Sequence, residues 1–235
     1  MFKNLLKSIG FALLMVLFPV IAGVIIQVAG VEDETTVYGI QAVLFALASI
    51  IGYLIYQRMH KPEAKKNIEK ATDTKDLLWF IPIIISELIV FISGVNLSYD
   101  ILYYLILLVF TIFVGISEEL FFRGIILNIL KSENSKYAVI VSSLLFSVLH
   151  LTNLAGNITI EYAILQLVFA FIFGLVTAQL TILTKSLVPA IIWHFSHDFI
   201  AFICGNELNT MTIIITIVQC VILAIYSIVL FKKIN

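Results

Sequence analysis

The chain has 235 residues, 61% of them hydrophobic and only 12% charged, and its mean hydropathy is +1.10. A soluble domain carries about 25% charged residues, so a water-soluble globule is excluded and an all-α, polytopic membrane protein is expected. The net charge of −1 gives no footing for a nucleic-acid partner.

Taken in order, the apolar segments number eight. The first covers residues 9–29, after Lys3 and Lys7, and is about twice as long as a signal-peptide core, so it reads as a retained helix. Glu32, Asp33 and Glu34 make a short acidic loop. A second helix covers about Thr36 to Tyr56. The long hydrophilic linker that follows, Gln57 to Asp76, carries Arg58, Lys61, Lys65, Lys66, Lys70 and Lys75. A third helix is expected from about Leu77 to Leu97, kinked at Pro82 and with Glu87 at mid-depth. A fourth runs from Ile101 to Leu130, and a fifth from about Tyr137 to Leu154, with Gly156-Asn157 as a turn. The sixth spans about Glu161 to Leu183. The seventh runs from about Pro189 to Cys204, proline suiting its first turn and Gly205-Asn206 its end. The eighth spans about Thr210 to Leu230. Cys204 and Cys220 fall in or beside apolar segments, where thiols pack as small apolar groups.

This gives three blocks. Residues 1–100 hold three helices and the 57–76 linker, residues 101–205 hold helices four to seven, and residues 206–235 hold the last helix. The basic residues Lys3, Lys7, those of 57–76, Lys131, Lys136, Lys185, Lys232 and Lys233 all fall on one side of such a bundle. The opposite loops contain no Lys or Arg. By the positive-inside rule, both termini and residues 57–76 are expected in the cytoplasm of a multi-pass cell-membrane protein. Usage rich in Lys, Ile and Asn suits a bacterial source.

The fourth segment contains GISEELFFRG, from Gly115 to Gly124. Each charge at the centre of a membrane helix costs about 2.5–3.5 kcal/mol, so such groups persist where they find partners or do chemistry. Glu119 and Arg123 are i,i+4 and share a helix face. Glu118 lies about 100° around the helix and points elsewhere. It is the candidate base. Counting along ideal helices, Glu118 lies about 20 Å from Lys131, His150 about 21 Å from Lys136, and His194 about 13 Å from Lys185. Asp198 is one turn deeper than His194. Helices four, five and seven thus carry polar groups at overlapping depths, and an intramembrane catalytic cavity is expected between them.

A carboxylate and two histidines in a dry cavity suit water activation. Glu118 would take the proton, a histidine would orient the water or protonate a leaving amine, and a further donor would stabilise an oxyanion. Asp198, i,i+4 from His194, can fix the imidazole tautomer. Metal is the competing use: Glu118, His150 and His194 form a plausible zinc set, although no HExxH is present, and His194 with His197 at i,i+3 is an alternative pair. His197 and Glu87 read first as bundle hydrogen-bonding residues. There is no nucleophile elbow, P-loop or dinucleotide fingerprint, so no nucleotide is expected.

Glu118-Glu119-x-x-x-Arg123, Phe146-x-x-x-His150 and His194-x-x-x-Asp198 together resemble the CPBP family, the CAAX proteases and bacteriocin-processing proteins also called Abi, over roughly residues 102–203. The resemblance implies an eight-transmembrane-helix bundle with a cavity open toward membrane and cytoplasm. It also implies an intramembrane endopeptidase acting on a membrane-associated peptide or protein. Glu118 would activate water with His150, His194 and Asp198 would correspond to the oxyanion pair, and Arg123 would be the structural partner of Glu119. Some members have Asn where this chain has Asp198, and an ionised carboxylate cannot donate a hydrogen bond. The family is described both as a metalloprotease and as a metal-free glutamate enzyme, so zinc and a bare glutamate mechanism both stand. Its bacterial members are linked to bacteriocin processing and self-immunity. A proton-coupled transporter and a non-catalytic immunity or scaffold protein are the alternatives of other classes.

Overall fold

The computed structural model describes residues 1–59, 80–152, 159–204 and 209–234. Among these residues there are helices and turns and no β-strand. Eight helical segments follow one another: α1 (Phe2–Ala29), α2 (Glu34–Met59), α3 (Ile81–Val90), α4 (Ile101–Lys131), α5 (Ser135–Leu149), α6 (Ile160–Thr184), α7 (Val188–Ile203) and α8 (Thr210–Phe231). Most of the 57–76 linker and the turns at Gly156-Asn157 and Gly205-Asn206 lie outside the described residues.

Helix starts follow the capping residues. Asp100 accepts from the Tyr103 N–H at 2.8 Å, Asn134 from Tyr137 at 3.0 Å, and Thr159 from Tyr162 at 3.3 Å. Asn209 and Thr212 form a reciprocal capping box. Each satisfies an N–H that the first turn leaves without an intrahelical partner. α1 stops at Gly30, whose φ of 62° lets its N–H and that of Val31 reach back to Gln27 and Ile26. That is the left-handed closure glycine permits.

Among the described residues six helices are long and apolar enough to cross a membrane: α1, α2, α4, α5 with its C-terminal turn, α6 and α8. α3 and α7 are the shorter apolar helices among the described residues. The apolar stretch containing α3 ends at Ser93 rather than Leu97, because Gly94 takes φ 91° and breaks the helix. Pro82 sits in the first turn of α3, not at an internal kink. α7 has 16 residues, about 24 Å at 1.5 Å per residue, short of a hydrocarbon core of about 30 Å. α5 also closes earlier than expected, at Leu149, and His150 is its C-cap.

α4 is the centre of the bundle. Leu120, Phe121, Phe122, Arg123, Ile125, Ile126 and Leu127 are all buried. α2 and α7 pack along α4, α5 pairs with α6, and α8 closes on α6 and α3. Small residues allow the close approaches. A Cβ on Gly115 would stand 3.0 Å from the Phe195 backbone nitrogen and 3.1 Å from the Ile191 carbonyl, so α4 and α7 nearly touch there. Gly174 of α6 meets Ser143 of α5 in the same way. Buried amides tie the outer helix in: Gln179 donates to Ser227 (3.0 Å to Oγ, 3.1 Å to the carbonyl) and Gln219 to the Ser86 carbonyl at 3.1 Å. Leu13, Leu17, Val43, Leu47, Ile225 and Ile228 face outward, as an exterior facing acyl chains would. Cys204 and Cys220 are free and buried.

Candidate active site

Glu118 and Glu119 end the regular α-helical part of α4. Leu120–Ile126 then winds as a π-turn, a geometry that inserts an extra residue per turn and recurs at functional sites. Asn128 donates to the Gly124 carbonyl of this widened turn at 2.8 Å.

Arg123 lies with Nη1 3.1 Å from Glu119 Oε1, both side chains essentially inaccessible. This is an ion pair whose Nη1 is not aligned for a hydrogen bond. Arg123 Nη2 donates to Thr177 Oγ1 of α6 at 2.5 Å, and its guanidinium lies over the Phe146 ring, 4.3 Å from the centroid. The expected Glu119–Arg123 pairing along one helix is present. Removing two such charges from water costs several kcal/mol per ion unless each is paired and hydrogen-bonded, which explains why α4, α5 and α6 all contribute to holding this one.

The same Glu119 Oε1 accepts from His194 Nδ1–H at 2.8 Å. His194 Nε2, on the other side of the ring, lies 3.8 Å from Glu118 Oε2 and 3.6 Å from Asp198 Oδ2. Both are ion-pair separations longer than a hydrogen bond. His194 is thus the hub of the cluster, set among three carboxylates. One assignment from spacing alone is corrected: Glu119, not Asp198, makes the short contact that fixes the His194 tautomer, because it reaches Nδ1 across the tight α4–α7 seam at Gly115.

His150 is placed differently. Its Nδ1–H donates to the Phe146 carbonyl at 3.0 Å. Its backbone N–H turns to Ser147, three residues back. The ring therefore caps a carbonyl released as α5 tightens into a 3₁₀ turn. This leaves Nε2 as the free nitrogen. No ion pair joins His150 to Glu118 among the described residues. What His150 and His194 share is Phe146, whose ring centroid lies 4.8 Å from the first and 5.7 Å from the second.

Residues 100–200 match the family model of type II CAAX prenyl endopeptidase Rce1-like proteins. Over that stretch, somewhat under half of the chain, it is similar to the CAAX proteases. No curated protein and no solved structure matches it. The matched residues run from the Asp100 cap of α4 into α7 and enclose every member of the His194 cluster.

A metal at this site would need converging ligands. Among the described residues no three His, Cys, Asp or Glu side chains stand as a ligand set. His194 and His150 each engage Nδ1, with Glu119 and with a carbonyl, which leaves Nε2 as the nitrogen either ring could offer a metal, but Glu118, His150 and His194 do not converge as a ligand set among the described residues. Nor does His197 join His194 as a ligand pair: its Nδ1–H turns away to Glu87 of α3.

Two participants were not legible in the sequence. Thr177 supplies the arginine's hydroxyl partner from α6, and a threonine in an apolar helix carries no signal of that. Trp193 donates from Nε1 to Glu87 at 2.8 Å. Its position beside His194 was the available hint.

Proposed function

We propose that this chain is an intramembrane endopeptidase in which Glu118 activates water against a peptide bond of a membrane-associated peptide or protein. The observation that carries the reading is His194, held at Nδ1 by Glu119 while Nε2 faces Glu118 and Asp198, inside the stretch that matches the CAAX endopeptidase model.

Each side chain has a part that its partners support. Glu118 accepts a proton from water as the water oxygen adds to the substrate carbonyl carbon. The tetrahedral intermediate places negative charge on the former carbonyl oxygen. His194, protonated at both nitrogens, donates from Nε2 to that oxyanion. Glu119, neutralised by Arg123, keeps the ring in place through Nδ1. Asp198 accepts only when ionised, so it orients His194 and does not itself donate. His150, with Nδ1–H engaged, offers Nε2 as an acceptor that aligns the water. As the intermediate collapses and the C–N bond breaks, Glu118 returns its proton to the leaving amine.

The decisive experiment compares the membrane peptidome of cells carrying wild type with that of cells carrying Glu118→Ala by mass spectrometry. Cleavage products present only with the wild type are expected. Undiminished products from folded Glu118→Ala would remove Glu118 as the base.

A further inference from the structure

α7 carries two polar faces. Trp193 and His197 are i,i+4 and make one; His194 and Asp198, each one residue further on, make the other, about 100° around the helix. The second face looks to α4 and holds the cluster described above. The first is gripped by a single buried carboxylate, Glu87 of α3. Trp193 Nε1–H donates to Glu87 Oε1 at 2.8 Å, and His197 Nδ1–H reaches Oε2 at 3.0 Å and Oε1 at 3.1 Å. Glu87 and Trp193 are both buried. Glu87 lies outside residues 100–200 and so outside the family match.

We infer that Glu87 is a positioning residue that fixes the rotation of α7, so that His194 meets Glu119 with its Nδ1 and Glu118 with its Nε2. The inference rests on the proposed hydrolase reading for its kinetic test only.

Three further observations point the same way. α3 is itself anchored: Ser86, next to Glu87, receives the Gln219 amide of α8, and the Asn96 N–H bonds the Ile203 carbonyl at the end of α7 at 2.7 Å. α7 has only 16 residues, so few contacts along it share the task of fixing its rotation. On the far side, Phe173 of α6 lies 4.2 Å from the Trp193 ring and 5.1 Å from the His194 ring, and Phe169 stacks on His197 at 4.8 Å. The aromatic wall resists translation across it, whereas the Glu87 hydrogen bonds resist rotation. If α7 turned enough to release Glu87, the His194 face would swing off Glu119 by the same angle.

The chain has two tryptophans, Trp79 and Trp193, so a Trp79→Phe parent makes Trp193 the only indole reporter. In purified protein of this background, Glu87→Ala is expected to shift Trp193 emission as its Nε1–H loses the carboxylate. It is also expected to lower kcat by about tenfold or more with KM within about twofold, since a misplaced catalytic group slows the chemical step. Glu87→Gln, which still offers an acceptor to Trp193, is expected to keep the parent emission and regain most of kcat. A Glu87→Ala protein with lower thermal stability but parent kcat per folded molecule would overturn the proposal. So would unchanged Trp193 emission. If Glu87→Ala gives no folded protein, Trp193→Phe combined with His197→Phe cuts both arms while keeping aromatic rings, and parent kcat in that double variant overturns the proposal equally. Should the wild type cut no peptide at all, the hydrolase reading fails on its own, and the emission of Glu87→Ala decides whether the clamp exists.

Discussion

Two histidines three residues apart on α7 have opposite surroundings. His194 sits among three carboxylates, with one nitrogen at 2.8 Å from Glu119 and the other 3.6–3.8 Å from Asp198 and Glu118. His197 meets one carboxylate with one nitrogen, and its ring lies against Phe169 and Phe173. The first environment holds Nδ1 in a short hydrogen bond and leaves Nε2 near two carboxylates without one, which is what the proposed oxyanion donor needs. The second satisfies its donor and packs the rest, which is what a structural contact needs. Residue type and depth are nearly the same for both; only the neighbours brought by α3, α4 and α6 separate chemistry from positioning.

The contrast can be broken from either side. The largest effect belongs to Glu118→Ala: peptide cleavage is expected to fall by about 10²–10⁴-fold, the usual worth of a general base, while detergent-purified protein keeps its thermal transition. His194→Ala should match it in turnover assays, whereas His197→Phe, which keeps a ring against Phe169, should lose far less. Equal losses in the two would erase the distinction. Next comes Arg123→Ala, which takes the arginine from the buried Glu119 carboxylate. Removing one partner of a buried pair costs about 3–5 kcal/mol, so a lowered unfolding temperature is expected, and Glu119→Gln added to Arg123→Ala should restore part of it. Gly115→Ala tests the seam that lets Glu119 reach His194. Its Cβ would meet α7 backbone at 3.0–3.1 Å, and over-packing costs about 1–3 kcal/mol, to be read as lost stability together with lost turnover. The smallest effect is expected from Gln179→Leu, away from both histidines, where exchanging the amide that bonds Ser227 should cost about 0.5–1.5 kcal/mol and leave cleavage unchanged.

Much of the architecture was readable along the chain, for physical reasons that act locally. Proline at the start of α7 and the apolar runs themselves place the helices, because chain geometry and hydrophobicity act within one segment. The Glu119–Arg123 pair follows from helical spacing. The failures share a cause. Leu97 read as helical because the residues around it are apolar, and only the backbone at Gly94 ended α3. His150 read as an interior residue because nothing local showed that α5 would tighten beneath it. Asp198 read as the group fixing His194 because it is the neighbour in sequence; Glu119, 75 residues away, is the neighbour in space. The π-turn after Glu119 has no sequence signature at all.

By itself, then, the order of residues determined that this chain folds as apolar helices, that its charges inside them are few, and which of those charges could pair along one helix, because hydrophobic periodicity and i,i+4 geometry operate within a single segment. Which helix face meets which was decided by tertiary packing alone. Small residues such as Gly115 set how near two helices come, and a buried carboxylate such as Glu87 sets how one of them is turned. Hydrogen bonds form or fail over a few tenths of an ångström, a precision that no spacing along the chain contains.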